Sequence, residues 1–474
     1  MAASQNSNKN GQSRGARIPS RLRAAVLSLA GFLILSLLVT ALATTPMKAS
    51  ADAASPSFLY TVAKRYEPLA WMHGRERFPS GAAIFIYSAN GKRALVPDFA
   101  ASADPSVSFD GQRVLFAGKK SPGDPWQIWE IVLDGGELRR ITSGPEDCVR
   151  PFYLPDDRVV YARKTAGQFA IEASDLAGGK AVRLTYGPAS SLPSDVLSDG
   201  RILFESGYPL GSADTPEIYT VYSDGSGVES YRCDHTSSHH QGRQIKSGDI
   251  IFAARSGLAR FTSPRAVEVR VNAPEGEYGG DIAEMPSGDW LLPWRPAPGA
   301  QFQLMQWTPG ARELRATLAE PANDAVQPTL MGERTVPKRH PSGLHDWANA
   351  NLLCLNAYTS KYKFAAGSIH SVRLYTRDGN GNPRLLGTAP VEQDGSFFVQ
   401  VPTEQALQIE LLDASGKTLK RQAGFFWMRR GEQRGCVGCH AGPETAPENA
   451  VPMILLKSTT PVDMTGAQIA AGGH

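Results

Sequence analysis

Five consecutive residues near the end of the chain bring two thiols and an imidazole close together. Cys436, Val437, Gly438, Cys439 and His440 form a C-x-x-C-H motif. In a c-type haem site each thiol forms a thioether with one vinyl group of the porphyrin, and the adjacent imidazole ligates the iron. The motif therefore predicts one covalent haem c, bound by Cys436, Cys439 and His440.

Two other chemistries use a C-x-x-C pair. A redox-active disulfide is expected beside a thioredoxin-like βαβ unit, and a zinc site needs a second Cys or His pair at matching spacing. Neither context accompanies the motif in this sequence, so covalent haem is favoured over these two alternatives. Cys148, Cys233 and Cys354 lie far from one another and from the motif, and we expect them to be core or loop thiols.

The second axial position of the iron has several candidate ligands. They are Met453, Glu444 and three histidines of the polar loop 233–240, namely His235, His239 and His240. The loop histidines could instead hold a separate metal, and a solvated polar loop without a ligand is the alternative. An open position would permit chemistry on a small molecule, whereas a filled one implies electron transfer.

Basic and aromatic side chains precede the motif. The basic residues are Lys420, Arg421, Arg429, Arg430 and Arg434. They could pair with haem propionates, with an anionic substrate or with an acidic redox partner protein, and a solvated surface is the alternative. The run 425–428 (FFWM) could pack on a haem or belong to an ordinary core.

The first 55 residues have the composition of an export segment. Residues 24–43 are apolar apart from three hydroxyl residues, and a polar, basic stretch precedes them. The length of this run fits an uncleaved membrane anchor, while small residues around positions 41–51 suit a cleaved signal peptide. Either alternative leaves the remaining chain in the periplasm or on the outer face of the inner membrane, where haem attachment is expected.

Size and charge limit the possible functions. A chain of 474 residues is long enough for two or three domains with sizeable cores. A net charge of +3 with 20% charged residues gives no broad basic surface, so we expect no nucleic-acid partner. The sequence makes no prediction of the oligomeric state.

One unit recurs between residues 56 and 335. It consists of a turn followed by an apolar strand, at residues 109–116, 154–161, 197–204, 245–252 and 285–292. The corresponding apolar positions, Val114, Val159, Ile202, Ile250 and Trp290, are 45, 43, 48 and 40 residues apart. This is the period of a propeller blade.

A sixth blade can be assembled from the two ends of the repeat. A strand pair around Asn90 and Gly91 lacks its own inner strand, and residues 326–334 could supply it. We therefore predict a six-bladed β-propeller over residues 56–335. Cys148, Ser191 and His239 occupy equivalent offsets in the loops that lead into three successive blades, so we expect them to share one rim.

Residues 336–474 are predicted to form a small antiparallel β-sandwich or barrel that ends in the haem segment, which makes the whole chain all-β. The predicted strands are residues 351–358, 371–377, 384–391, 396–401 and 407–413. They alternate apolar and polar residues and are separated by glycine turns. Only 34 residues follow His440, so the haem must be covered by this β-domain, by the propeller face or by a partner.

The repeat resembles the WD40-like propellers of exported proteins such as TolB. The propeller, the strand D-G-S-F-F and the run R-R-G-E-Q-R-G-C-V-G-C-H together resemble the alpha subunit of hydrazine synthase, over residues 60–450. The resemblance implies that Cys436 and Cys439 bind haem and that His440 is its proximal ligand. The chain stops where a second haem domain would begin, and position 444 is Glu where that family has Tyr, so we expect a relative rather than a hydrazine synthase.

The sequence thus predicts an exported mono-haem c-type cytochrome-like protein in electron transfer or small-molecule redox chemistry. The alternative is a propeller-based scaffold for a protein or ligand, in which the haem is structural. A hydrolase is disfavoured, because we find no defensible Ser/His/Asp constellation.

Overall fold

The computed structural model describes residues 56–207, 215–231, 239–254, 257–264, 266–379, 381–438 and 450–466. The predicted export segment, residues 24–43, lies outside these ranges. Within them, no helix is both long and apolar enough to cross a membrane. The regular structure of the described residues is almost entirely β.

Six consecutive sheets form the blades of the propeller. Blade I contains β1 (Phe58–Ala63), β2 (Ala83–Ser88) and β3 (Gly91–Ala94), and blade II contains β4 (Ala101–Val107), β5 (Arg113–Lys119), β6 (Gln127–Val132) and β7 (Leu138–Arg140). Blade III contains β8 (Cys148–Leu154), β9 (Arg158–Thr165), β10 (Gln168–Asp175) and β11 (Val182–Arg183). Blade IV contains β12 (Ser191–Val196), β13 (Ile202–Ser206), β14 (Glu217–Val221) and β15 (Glu229–Ser230).

The last two blades follow the same plan. Blade V contains β16 (His239–Gln244), β17 (Ile250–Ala254), β18 (Gly257–Phe261) and β19 (Val269–Arg270). Blade VI contains β20 (Glu277–Tyr278), β21 (Ala283–Glu284), β22 (Trp290–Arg295), β23 (Gln303–Trp307) and β24 (Arg315–Leu318). In blade VI the innermost strand is split, because β20 and β21 both pair with β22.

The ring is closed by a strand from its far end. β25 (Asp324–Leu330) pairs antiparallel with β1, so blade I has the order β25-β1-β2-β3. Five long-range backbone pairs join the two ends of the propeller, from Phe58 with Leu330 to Ala63 with Asp324. The structure confirms the six-bladed propeller and the closing strand.

Each blade contains strands beyond the one that marks the repeat. The predicted strands that carry Val114, Val159, Ile202, Ile250 and Trp290 are the second strands of their blades. The innermost strands, such as β4 (ASADPSV) and β12 (SLPSDV), were not predicted, because they contain proline and polar residues and each bears a bulge.

The second domain is a sandwich of two sheets. One sheet has the order β32-β26-β29-β33 and the other has the order β28-β27-β30-β31. The strands are β26 (Ala350–Cys354), β27 (Ser371–Arg377), β28 (Pro383–Pro390), β29 (Phe397–Val401), β30 (Gln408–Leu412), β31 (Thr418–Arg421), β32 (Gln433–Cys436) and β33 (Val462–Asp463), with one short helix, α1 (Met453–Lys457). β32 and β33 join parallel to their neighbours, so the first sheet is mixed and not purely antiparallel.

An aromatic side chain of the sandwich is buried against two blades of the propeller. Trp427 is 4% exposed and packs into the cluster between blades III and IV, where its ring lies 6.2 Å from that of Phe204. The connecting segment also follows the propeller surface, since the Lys338 amide donates to the Ser198 carbonyl at 3.0 Å. Burying a tryptophan in such a contact contributes about 3–5 kcal/mol relative to alanine.

Candidate functional site

Cys436 is the last residue of the edge strand β32. This strand adds to β26 in parallel, and Cys436 lies in register with Cys354. The Cys436 thiol is half-buried against the core of the sandwich. The first thiol of the C-x-x-C-H motif therefore lies at one end of a sheet, on a strand that pairs with another strand on one side only.

The turn after Cys436 is held tightly against the sandwich. The Leu355 amide donates to the Cys436 carbonyl at 2.8 Å. A Cβ atom added at Gly438 would lie 2.2 Å from the Thr359 carbonyl oxygen and 3.0 Å from that of Asn356. Glycine is required at this position because the segment 355–359 approaches the backbone so closely.

Met453 lies at the same end of the sheet. Its amide donates to Asp394 Oδ2 at 2.7 Å, and the Ile454 amide donates to Ser396 Oγ at 3.0 Å. These two acceptors lie in the turn that leads into β29, whose first residue pairs with Cys354. The sheet therefore brings Cys436 of β32 and the start of α1, beside β29, to the same end, with β26 between those two strands.

Several of the predicted site residues lie outside the described part of the chain. They are the motif residues Cys439 and His440, the candidate ligand Glu444, and His235 and Cys233 of the polar loop. Within the described ranges there is no group of three or more His, Cys, Asp or Glu side chains that could hold a metal ion.

The two described loop histidines belong to blade V. His239 is 1% exposed, its Nε2 lies 2.9 Å from Glu268 Oε2, and its ring meets Phe252 edge-on at 4.9 Å. His240 Nδ1 lies 3.3 Å from Gln241 Oε1, and burial lowers the pKa of His240 to about 4. The contacts of His239 and His240 are thus made within the propeller, whereas those of Cys436 are made within the sandwich.

The predicted equivalence of Cys148, Ser191 and His239 matches the strand boundaries. They are the first residues of β8, β12 and β16, so they begin innermost strands and do not lie in the loops where they were predicted. Cys148 is fully buried, and burial raises the pKa of its thiol to about 11. Cys354 is buried as well, at 2% exposure, so both described thiols outside the motif are core residues.

Three of the five basic residues before the motif form ion pairs. They are Arg421 with Glu410 at 2.7 Å, Arg429 with Glu404 at 2.8 Å, and Arg434 with Glu432 at 2.6 Å. Lys420 lies over the Tyr362 ring at 4.0 Å. In the run 425–428, Met428 is buried in the core of the sandwich and Trp427 in the propeller contact, which is the core role and not a haem-packing one.

A ring of side chains that the sequence did not reveal fills the axis of the propeller. One residue of each innermost strand or of its break contributes to it: Asp104, Arg150, Ser194, Gln241, Asp281 and Gln327. Five of these six have a positive φ, between 52° and 59°. Non-glycine residues adopt this conformation at a cost of about 1–3 kcal/mol, so surrounding contacts must hold the backbone there.

Hydrogen bonds across the ring supply those contacts. Arg150 of blade III makes a bidentate pair with Asp281 of blade VI, on the opposite side of the axis, at 2.8 and 2.9 Å. The Arg150 amide donates to Asp104 Oδ2 at 3.0 Å, and Gln327 Nε2 donates to Asp104 Oδ1 at 2.5 Å. The axis of the propeller is therefore closed by charged side chains.

Charge is nearly balanced within this network. Burial alone would raise the pKa of Asp281, but Arg150 and Arg243 lower it to about 2. Burial raises the pKa of Glu205 to about 7, against the opposing influence of Arg150, and Glu205 Oε2 accepts a hydrogen bond from the Gln241 amide at 2.8 Å. Glu205 is therefore the carboxyl group of the axis that changes charge near neutral pH.

Comparisons with known proteins connect the sandwich and its motif to one family. Residues 359–441 match the family described as the hydrazine synthase alpha subunit middle domain. Hydrazine synthase subunit alpha of Kuenenia stuttgartiensis is 38% identical over 77 residues, which cover 16% of this chain and only 10% of that subunit.

The fold is similar over a greater length. The solved structure of Kuenenia stuttgartiensis hydrazine synthase has a TM-score of 0.73 at 17% identity, covering 85% of this chain and 71% of that chain. The structure of TolB from Acinetobacter baumannii has a TM-score of 0.45 at 16% identity, covering 65% of this chain and 72% of that chain. The first of these matches establishes a shared architecture of propeller and sandwich.

Proposed function

We propose that this hydrazine synthase alpha-like chain, which carries the middle domain of that family at residues 359–441, is an exported protein with one covalent haem c. Cys436 and Cys439 would form the two thioethers, and the His440 imidazole would ligate the iron. The observation that carries the proposal is the C-V-G-C-H motif, whose first thiol is half-buried at the end of an edge strand.

The residue types of the motif fit such a group. The donor set of two thiols and an imidazole is that of a c-type haem site. The close approach of Gly438 to Thr359 fixes the turn between the two thiols, and the amide contact to Asp394 fixes Met453 at the same sheet end. A bound haem would supply one-electron transfer, with Met453 as the first candidate for the second axial ligand and Glu444 or His235 as the others; burial of His239 and His240 within blade V disfavours these two.

The reaction proposed is electron transfer or redox chemistry on a small molecule, with a redox protein as partner. The location proposed is the periplasm or the outer face of the inner membrane, reached through residues 24–43. Cell fractionation before and after removal of residues 24–43 tests this location, and a chain that stays cytoplasmic in both cases would contradict it.

Covalent haem is tested by expressing the chain with a cytochrome c maturation system. Acid-acetone extraction should leave the haem on the protein, and the peptide containing Cys436 and Cys439 should carry the mass of one haem. Cys436→Ser with Cys439→Ser should abolish this mass, while Cys148→Ala, a matched loss of a buried thiol in blade III, should retain it. A haem-free wild-type chain would overturn the proposal.

The reduced spectrum with and without carbon monoxide then tests the axial ligand. If Met453 fills the second position, the wild-type spectrum should not respond to carbon monoxide, and Met453→Ala should respond. A response in the wild-type protein would instead indicate an open position and chemistry on a small molecule.

A second candidate function is a binding scaffold in which the haem is structural. It is favoured by the Arg150–Asp281 pair, because charged side chains fill the propeller axis where a substrate tunnel would otherwise run. His440→Ala separates the two candidates: loss of electron transfer with retained partner binding supports the redox function, and unchanged activity supports the scaffold.

A further inference from the structure

Two thiols that are far apart in the sequence are neighbours across two strands. β26 and β32 pair in parallel, with Asn351 opposite Gln433 and Cys354 opposite Cys436. The pairing is supported by side chains as well, since Asn351 Nδ2 donates to Gln433 Oε1 at 3.0 Å. The register therefore puts one thiol of the C-x-x-C-H motif beside Cys354.

The spacing of paired strands suits a disulfide. Neighbouring strands lie about 4.8 Å apart, and disulfides join Cα atoms that are about 4.4–6.8 Å apart. Residues in register project from the same face of a sheet, and both Cys354 and Cys436 contact the apolar core of the sandwich. In the structure the Cys436 thiol donates to the Gly438 carbonyl at 3.2 Å, so it must turn away from that oxygen to bond the Cys354 sulfur.

We propose that Cys354 and Cys436 form a cross-strand disulfide in the chain before haem is attached. The more exposed Cys436 thiolate attacks a disulfide oxidant, such as oxidised glutathione or a thiol oxidase, and expels one thiolate from it. The Cys354 thiolate then attacks the Cys436 sulfur and expels the second. Two cysteine thiols lose two electrons and two protons, and the oxidant disulfide becomes two thiols.

This disulfide would control when Cys436 can react. A sulfur bonded to Cys354 has no thiol to add to a vinyl group, so reduction of the Cys354–Cys436 bond must precede haem attachment. Conversely, a thioether at Cys436 excludes the disulfide with Cys354. The disulfide itself does not depend on the proposed haem function, because it requires only the paired strands and an oxidant.

The test uses the full chain, expressed without cytochrome c maturation proteins and then incubated with oxidised glutathione. Remaining thiols are alkylated, and the protein is digested without reductant for peptide mass mapping. We expect a peptide that links Cys354 to Cys436 in most of the folded chains. A link between Cys436 and Cys439 in most chains, or no link to Cys354, would overturn the proposal.

Three variants sharpen this result. Cys439→Ser removes the competing partner and leaves β26 intact, so it should keep the Cys354–Cys436 link. Cys354→Ala should leave Cys436 open to alkylation or linked to Cys439, and Cys148→Ala should behave as the wild type does. If Cys354→Ala fails to fold, the Cys439→Ser chain decides alone: a link in most chains supports the proposal, and a link in a minority or in none overturns it.

Discussion

Glu432 accepts a hydrogen bond from the Gly227 amide at 3.0 Å, across 205 residues of sequence. Its other oxygen accepts from the Arg429 amide at 2.8 Å, and Arg434 pairs with the first oxygen at 2.6 Å. Glu432 immediately precedes β32, so the strand that ends in Cys436 starts from a carboxylate bonded to a propeller turn. The position of the first motif thiol thus depends on the contact between the two domains.

Replacing Glu432 with alanine should weaken that contact. The change leaves the half-buried Gly227 and Arg429 amides and the Arg434 guanidinium without their acceptor, and hydrogen bonds to a charged group contribute about 1.5–3 kcal/mol. We expect the free energy of unfolding, measured in urea, to fall by about 2 kcal/mol. Glu137→Ala, at an exposed turn, is the control and should change it by less than about 0.5 kcal/mol. Equal effects in the two variants would contradict this role.

The Arg150–Asp281 pair should respond strongly to the loss of one partner. Arg150→Met breaks a buried ion pair and leaves Asp281 with Arg243 as an ion-pair partner, and removing one member of a buried pair destabilises a protein by about 3–5 kcal/mol. Adding Asp281→Asn should recover part of that loss in a urea titration. Arg339→Met breaks a pair with Asp156 in which both side chains are exposed, and it should cost less than about 1 kcal/mol. A double variant less stable than Arg150→Met would refute the coupling.

Glu205 should make stability depend on pH between about 4.5 and 7. Its pKa is about 7 in the folded chain and near 4.5 in the unfolded one, so the folded state binds more protons in this window. Stability therefore falls as the pH rises through the window, by up to about 3 kcal/mol. Glu205→Gln, which still accepts from the Gln241 amide, should remove this decline.

The check is the urea midpoint of both proteins at pH 5 and pH 8. We expect the urea midpoint of the glutamine variant to rise relative to that of the wild type between pH 5 and pH 8. A difference in midpoint that is the same at both pH values would argue against titration of Glu205. Glu137→Gln serves as the surface control and should follow the wild type.

Gly438→Ala should disturb the attachment turn, and Gly435→Ala should not. A Cβ atom at Gly438 meets the Thr359 carbonyl at 2.2 Å, whereas one at Gly435 meets nothing within 4 Å. Overpacking of this kind costs about 1–3 kcal/mol. We expect Gly438→Ala to lower both the melting temperature and the haem content per chain after co-expression with maturation proteins. Normal haem content with normal stability would show that the turn tolerates the side chain.

The sequence predicted the blades because their turns and second strands repeat the same chemistry. Val114, Val159 and Ile202 follow Asp-Gly or Asp-Asp turns, and such local patterns can be recognised in the sequence alone. The innermost strands carry Asp104 and Arg150 at left-handed positions, which interrupt the alternation that identifies a strand. The network that holds them reaches across the ring, so no local stretch encodes it.

The attachment site was predicted as a motif but not as a place in the fold. Cys436, Cys439 and His440 are contiguous, so their chemistry could be deduced from spacing. The pairing of β32 with β26 joins residues 82 positions apart, and parallel register is not encoded by either strand alone. For that reason the sequence predicted Cys354 only as a core or loop thiol, although it lies beside Cys436.

The charged pair between Arg150 and Asp281 has a consequence for how a solute meets this molecule. A solute bound at the rim near Cys148 and Ser191 has no straight passage to the opposite side, because the guanidinium and the carboxylate occupy that path. It must detach and diffuse around the outside of the ring. The two mouths of the propeller can therefore evolve separate specificities, each unaffected by what the other admits.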